Sequence, residues 1–230
     1  MRLLRTSVLF GLAVLCRAAL PGQPLPGGDE VLRNVEAGFT AVDDYVVTLD
    51  IVADIERLKV PPMQVTMSFK KPDRVHFTST GFAMLPKESI GFTPSQLLQR
   101  VEPERVTRDT MNGRPMLDVL VKLRKDRTGL RRLILTVDPE RWTVERLTTP
   151  QFDGRTVTAL FQYGKVGPAW MPVRLEVTFL IPQQDTLQQS PLPNPHMPSG
   201  MAPRMGKITI SYSDYQINKG LDDSIFKETE

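Results

Sequence analysis

Apolar and polar residues alternate at single-residue steps through most of the chain between Tyr45 and Tyr215. In the central stretch Leu117, Val119, Val121 and Leu123 are set against Asp118, Leu120, Lys122 and Arg124. Leu133, Leu135 and Val137 repeat the pattern, followed by Trp142 and Val144, by Val157, Ala159, Phe161 and Tyr163, and by Val173, Leu175, Val177 and Phe179. Successive side chains of a strand point to opposite faces, so a period of two predicts strands with one greasy face and one wet face. Turn signals at Thr128-Gly129, Asp138-Pro139, Asp153-Gly154 and Gly164 to Pro168 separate the runs. Connections this short join antiparallel neighbours. The centre of the chain therefore reads as a meander.

The flanks extend it. Val31, Leu32, Val35, Phe39 and Val42 follow at helical spacing, which predicts a helix from about Glu30 to Val42 with Asp29 as its N-cap. Tyr45 to Glu56 is the first strand, with Val47, Leu49, Ile51, Ala53 and Ile55 on one face. Met63, Val65, Met67 and Phe69 form a second apolar row, and Val75 and Phe77 begin a third after Pro72-Asp73. The pattern lapses from Thr80 to Pro94, and Ser95 to Val101 offers a short second helix capped by Thr93, with Pro94 at its first position. Arg105 to Arg114 is polar and leads to a tight turn at Asn112-Gly113. Pro182 to Gly206 has no period and reads as a long mobile loop before a last strand, Lys207 to Tyr215.

Eight or nine strands thus share one apolar face, with one good helix and one short one to bury it. A long twisted sheet with a single greasy face curls around what it covers. The expected class is α+β, mainly β: a curved antiparallel sheet forming an open half-barrel, with one or two helices over its concave face. A second packed sheet would satisfy the same pattern.

The N-terminus bears on compartment. Two arginines in Met1 to Arg5, an apolar stretch from Thr6 to Leu15 and small residues at Cys16, Ala18 and Ala19 have the layout of a cleaved secretory signal. The expected organisation is a signal peptide over 1–18, a Pro/Gly-rich leader over 19–29 and one domain over 30–230. Export to the periplasm follows, with a lipid-anchored form through Cys16 as the alternative. Removing Arg2, Arg5 and Arg17 takes the formal charge from +3 to about zero, so the basic footprint that nucleic-acid binding needs is missing. Cys16 is the one cysteine, so the domain is expected to hold together by its apolar core, without disulfides.

Catalysis finds little footing. His76 and His196 are the two histidines, and no phosphate-binding glycine loop or paired-histidine metal motif occurs. Asp222-Asp223 reads as a turn and cap pair rather than an acid pair. His196, Met197, Met201 and Met205 have soft donors but no supporting cysteine or second histidine, so they read as loop residues. No catalytic residue, metal site or cofactor is expected.

Three segments carry a family resemblance: Ala41-Val42-Asp43-Asp44-Tyr45 after the helix, Phe69-Lys70-Lys71-Pro72-Asp73-Arg74 at a strand end, and Tyr215 to Asn218 followed by Leu221-Asp222-Asp223-Ser224-Ile225-Phe226. Val137-Asp138-Pro139 to Leu147, and Trp170-Met171-Pro172, add to them. In this order they resemble the outer-membrane lipoprotein carrier superfamily, LolA/LolB-like, and its lipoprotein-sorting relatives. The resemblance implies a half-barrel whose cavity holds acyl chains. Lys71 stands where carriers place an arginine that helps hold the lid, and Gly81 to Gly91 stands where they have Asp-Gly-Lys and aromatics. Leu49, Ile51, Val65, Met67, Val119, Val121, Phe161, Leu175 and Val177 are the expected lipid-binding lining, with Lys71 at the lid or mouth. The implied activity is non-enzymatic carriage of lipids, lipoproteins or other acylated molecules by a monomer, with a membrane protein of the cell envelope as a further candidate partner. The alternative is a periplasmic sensor or structural module that binds a protein partner in envelope homeostasis.

Overall fold

A computed structural model describes residues 24–56, 58–79, 100–124, 132–149, 157–181 and 204–227. Among these residues are one α-helix, α1 (Gly28–Ala37), and the strands β1 (Asp44–Ile55), β2 (Leu58–Lys59), β3 (Met63–Lys70), β4 (Arg74–Ser79), β5 (Val101–Met111), β6 (Arg114–Leu123), β7 (Arg132–Asp138), β8 (Thr143–Thr148), β9 (Val157–Val166), β10 (Ala169–Ile181) and β11 (Arg204–Ile217). A short 3-10 turn, Asp223–Phe226, follows. The signal peptide, the Ser95 helix over 95–99 and the loop over 182–203 fall outside the described residues, as does His196.

Ten strands pair antiparallel in the order β4-β3-β1-β11-β10-β9-β8-β7-β6-β5, with β2 paired to β1 alone. The two ends of this order do not pair, so the sheet is an open half-barrel. Antiparallel alternation sorts the connections by end. The turns over 71–73, 112–113, 139–142 and 167–168 all lie at one end, with the α1–β1 link. The longer connections over 80–100, 124–131, 149–156 and 182–203 all leave from the other. Backbone chemistry explains the tight end: Asn112 and Gly113 both take positive φ (52° and 77°), the hairpin conformation that Asn-Gly favours.

Three predicted elements differ. Residues 105–111, expected to be connection, belong to edge strand β5, and Val101, expected to end a helix, opens it. Glu102, Glu104, Arg105, Arg108 and Asp109 hid the strand, and their charges, with Pro103 and a bulge beside it, suit an unpaired edge. α1 starts two residues earlier than Asp29 would cap it and ends at Ala37, short of the predicted Val42, because Gly38 to Ala41 form a turn. Gly27 holds the N-cap, and Asp29 and Glu30 sit in the first turn, where carboxylates complement the helix dipole. Gly28 allows this start, because a Cβ there would collide with the Pro103 ring.

The concave face divides into two clusters. Val31, Leu32 and Val35 of α1 pack on Val101, Leu117, Val119, Val121, Leu133, Leu135, Val137 and Val144 of β5 to β8. The other half belongs to β1, β3, β9, β10 and β11, where Tyr45, Val47, Leu49, Ile51, Val65, Met67, Phe69, Leu175 and Ile210 are buried. Among the described residues, Phe39 and Val42 of the link between α1 and β1 are what this part of the chain contributes to the second cluster. Bulges adjust which residues face in. Tyr163 pairs with Pro172 and Gln162 with Arg174, so Val173 is the extra residue and stands exposed, against its expected place in the apolar row. A bulge opposite Val47 returns Tyr215 and Ile217 to the inward face.

Candidate functional site

The nine residues expected to line a cavity all lie in the two concave clusters, but not together. Leu49, Ile51, Val65, Met67, Phe161, Leu175 and Val177 share the second half. Cross-strand pairs tie them into one surface: Leu49 faces Val65, Leu175 faces Phe161 and Ile210, and Val177 faces Ala159 and Ile208. Val119 and Val121 lie in the first half, beneath α1.

Three of the chain's four tyrosines, Tyr45, Tyr212 and Tyr215, belong to the same surface, and Tyr163 adjoins it, 6.3 Å from the Phe161 ring. Tyr45 stacks on Phe69 (5.1 Å between centroids) and lies 5.9 Å from Tyr215, which is parallel to Tyr212 at 6.5 Å. The Tyr215 hydroxyl donates to the Pro172 carbonyl (2.7 Å), and that of Tyr163 to Val144 (3.1 Å). Burial pushes all four phenols well above their ordinary value of 10, and mutual proximity adds to the shift at Tyr45, Tyr163 and Tyr215. The sequence pattern ranked Tyr163 and Tyr212 only as apolar positions; neither the pattern nor the spacing revealed that the four would meet.

The tight end of the sheet is fastened by polar contacts among the three segments that carry the family resemblance. The Asp44 carboxylate, buried, accepts from the backbone N–H groups of Lys219 (2.8 Å), Gly220 (2.9 Å) and Leu221 (3.3 Å). Asn218 accepts from Asp43 N–H (2.7 Å) and donates to the Ala41 carbonyl (2.8 Å). Lys70 and Arg74 both pair with Asp223 (2.5 and 3.0 Å), and Arg74 lies over the Phe226 ring. Hydrogen bonds from Arg74 and Lys70 hold the Asp223 carboxyl down at about 2. Asp222 accepts from Ser224 N–H, so the two adjacent acids are a cap and an anchor. Lys71 donates to the Thr40 carbonyl (2.6 Å) and pairs with Asp43 (3.0 Å), which ties the β3–β4 turn to the α1–β1 link.

A cleft of about 290 Å³ opens at this end, between the end of α1, the β7–β8 turn and the β9–β10 hairpin. Phe39, Arg141, Trp142, Tyr163, Pro168 and Trp170 are among its walls. Arg141 lies 5.0 Å and Lys165 5.7 Å from the Trp170 ring centre. Beside it, buried Asp138 pairs with Arg114 (2.9 Å) and Arg141 (3.2 Å) and accepts from Glu140 and Arg141 N–H groups. Trp142 holds a positive φ of 55°, which the sequence pattern did not signal. His76 lies on β4 opposite Ser68. No group of three or more metal-ligating side chains occurs among the described residues, and no described helix is long and apolar enough to cross a membrane.

No family model matches the sequence, and no curated protein is similar to it by sequence. Solved structures are similar to its fold. An outer membrane lipoprotein-sorting protein domain from Vibrio parahaemolyticus superposes with a TM-score of 0.60 at 11% identity, over 86% of this chain and 94% of its own. A LolA superfamily protein from Nitrosomonas europaea gives 0.59 at 11% identity, over 89% and 99%. The chain has a LolA-like fold. A DUF1329 family protein from Desulfovibrio piger shares it, with a TM-score of 0.59, 12% identity and coverage of 87% and 95%. At these identities the LolA-like likeness speaks for the architecture, and the chemistry has to be argued from this chain's own residues.

Proposed function

We propose that this protein is a non-enzymatic periplasmic carrier or binder of acylated molecules, and that the concave half formed by β1, β3, β9, β10 and β11 receives the acyl chain. The observation that carries this reading is the imbalance between the two halves of the concave face. α1 lays Val31, Leu32 and Val35 on the half built by β5 to β8. The other half is at least as apolar, yet among the described residues α1 itself adds nothing to its cluster, and only Phe39 and Val42 of the link that follows α1 do.

Leu49, Ile51, Val65, Met67, Phe161, Leu175 and Val177 are the proposed contacts, with Val119 and Val121 as the floor beneath α1. Phe161 and Val177 are only partly buried, which leaves apolar surface to be covered. Transfer of such surface from water stabilises by about 25 cal/mol per Å², so a long acyl chain gains affinity without any directed polar contact. Met63 and Met67 add unbranched, polarisable side chains that adapt to chains of differing length. Lys71 works as a fastener of the turn end, through Thr40 and Asp43. The LolA-like fold supports the same reading, and the N-terminal signal layout supports export.

Organic extraction of the protein purified from an exporting host, followed by mass spectrometry, tests it. The reading expects a copurifying acyl lipid at a substantial fraction of one per chain. A lipid-free chain that instead purifies with a stoichiometric protein partner would replace it with the sensor or structural alternative.

A further inference from the structure

The cleft at the tight end adjoins the acyl-chain surface, sharing Phe39 and Ala169 with its cluster, but does not depend on that reading. Its volume of about 290 Å³ is many times the roughly 10–15 Å³ that a single water requires, and lies near the lower limit of about 300 Å³ for small-molecule pockets. It therefore has room for a small molecule. Its walls combine flat and cationic groups. Trp142, Trp170, Tyr163 and Phe39 supply ring faces and edges, and Pro168 another apolar plate.

The charge lining the cleft favours an anion. Asp138 pairs with Arg141 and Arg114, Glu145 lies 3.9 Å from Arg114, and Lys165 stands over the Trp170 ring. Of these charged groups, Arg141 is the one that lines it. Asp138 contacts the Arg141 guanidinium through Nε, and the Trp170 ring flanks it, so its position is fixed before a ligand arrives. A planar guanidinium held in this way offers further N–H donors in the fork geometry that matches a carboxylate. The end of α1, which would repel an anion if its carbonyls were bare, has three of its last four engaged. Gly38, Phe39 and Thr40 N–H groups donate to the carbonyls of Asn34, Glu36 and Ala37.

We propose that this cleft is a binding site for a small ring-bearing organic carboxylate, whose ring lies among Trp142, Tyr163 and Phe39 and whose carboxylate meets Arg141. A cationic ligand of the same shape is disfavoured by Arg141 and Lys165. A neutral one forgoes the charge-assisted contact with the guanidinium N–H groups that Asp138 leaves free for a ligand.

The chain reports on this site itself, because both of its tryptophans, Trp142 and Trp170, line the cleft. Phenylacetate, which does not absorb where tryptophan is selectively excited, is titrated into the full chain while tryptophan emission is followed. Phenylacetamide and phenethylamine serve as neutral and cationic analogues. The expected result is a saturable emission change with phenylacetate, with each analogue weaker by about tenfold or more, as loss of a charge-assisted bidentate contact requires. Arg141→Gln is expected to bring phenylacetate down to the level of the amide. If that variant fails to fold, the three ligands on the unaltered chain decide alone. Absence of a saturable response to phenylacetate, or equal binding of the amide, would overturn the proposal.

Discussion

The carboxylate of Asp44 accepts a hydrogen bond from the backbone N–H of Gly220 at 2.9 Å, joining the first residue of β1 to the segment that follows β11. Lys219 and Leu221 complete the set, so a single buried side chain, beside the Asn218 N–H to Asp44 carbonyl bond, holds the segment after β11 against β1. Gly220 takes φ of 73°, a conformation that glycine adopts freely. Removing the acceptor leaves three N–H groups without it. Asp44→Ala should cost about 1.5–3 kcal/mol, the range for hydrogen bonds to a charged group, read as a lower urea midpoint at unchanged slope. A loss below about 0.5 kcal/mol would mean that water replaces the carboxylate at no cost.

Acid should release the end of the chain before it unfolds the sheet. Asp223 is depressed from 3.8 to about 2 by its hydrogen bonds with Arg74 and Lys70. A depressed carboxyl contributes fully above its unfolded value, and that contribution fades as pH falls through the folded one. The window is therefore from about 3.8 down to about 2. Carboxyl chemical shifts should titrate near 2 at Asp223, with resonances of Ile225 and Phe226 moving in step. A midpoint near 4 would show that the ion pairs with Lys70 and Arg74 do not form in solution.

Alkali tests the aromatic surface. Burial raises the phenols of Tyr45, Tyr163, Tyr212 and Tyr215 above 10 in the folded chain. Unfolded tyrosines ionise near 10, so the stability they contribute is intact below that pH and is lost as pH rises beyond it. Phenolate absorbance should stay flat past pH 10 and then rise cooperatively with loss of the sheet's circular dichroism. A gradual rise centred on 10 while the sheet persists would place the tyrosines in water.

Much of the fold is legible because alternation is a local property. Leu117 to Leu123 and Leu133 to Val137 fix two strands and their inward faces without reference to any partner. Edge strand β5 was not legible, since Glu102 to Asp109 carries the charge of a surface loop and becomes a strand only by pairing with β6. Val173 failed for a related reason: a one-residue bulge reverses the face of a strand, and nothing in the sequence marks where it falls.

The site was legible only in part. Leu49, Val65 and Leu175 follow from period two, but the division of the concave face into two halves depends on where α1 lies. The cleft was hidden because Arg141, Trp142, Tyr163 and Trp170 come from separate turns and strands that only the hairpin geometry brings together. Asp44, Lys70 and Asp223 were readable as family-like segments, whereas their mutual contact was not.

Val177 offers the most direct test of the acyl-chain surface. It lies mid-strand on β10 between Ala159 and Ile208, faces inward and is only partly buried. A larger residue there should project into the space assigned to the ligand, whereas in a filled core the same overpacking costs about 1–3 kcal/mol. The measurement is the affinity of Val177→Phe for a fluorescent fatty acid, with thermal unfolding recorded on the same sample. The account predicts a chain of nearly unchanged stability whose binding falls by about tenfold or more, equivalent to about 1.4 kcal/mol or more. A folded variant that binds as tightly as the unaltered chain, or an unaltered chain that binds no fatty acid, would contradict it.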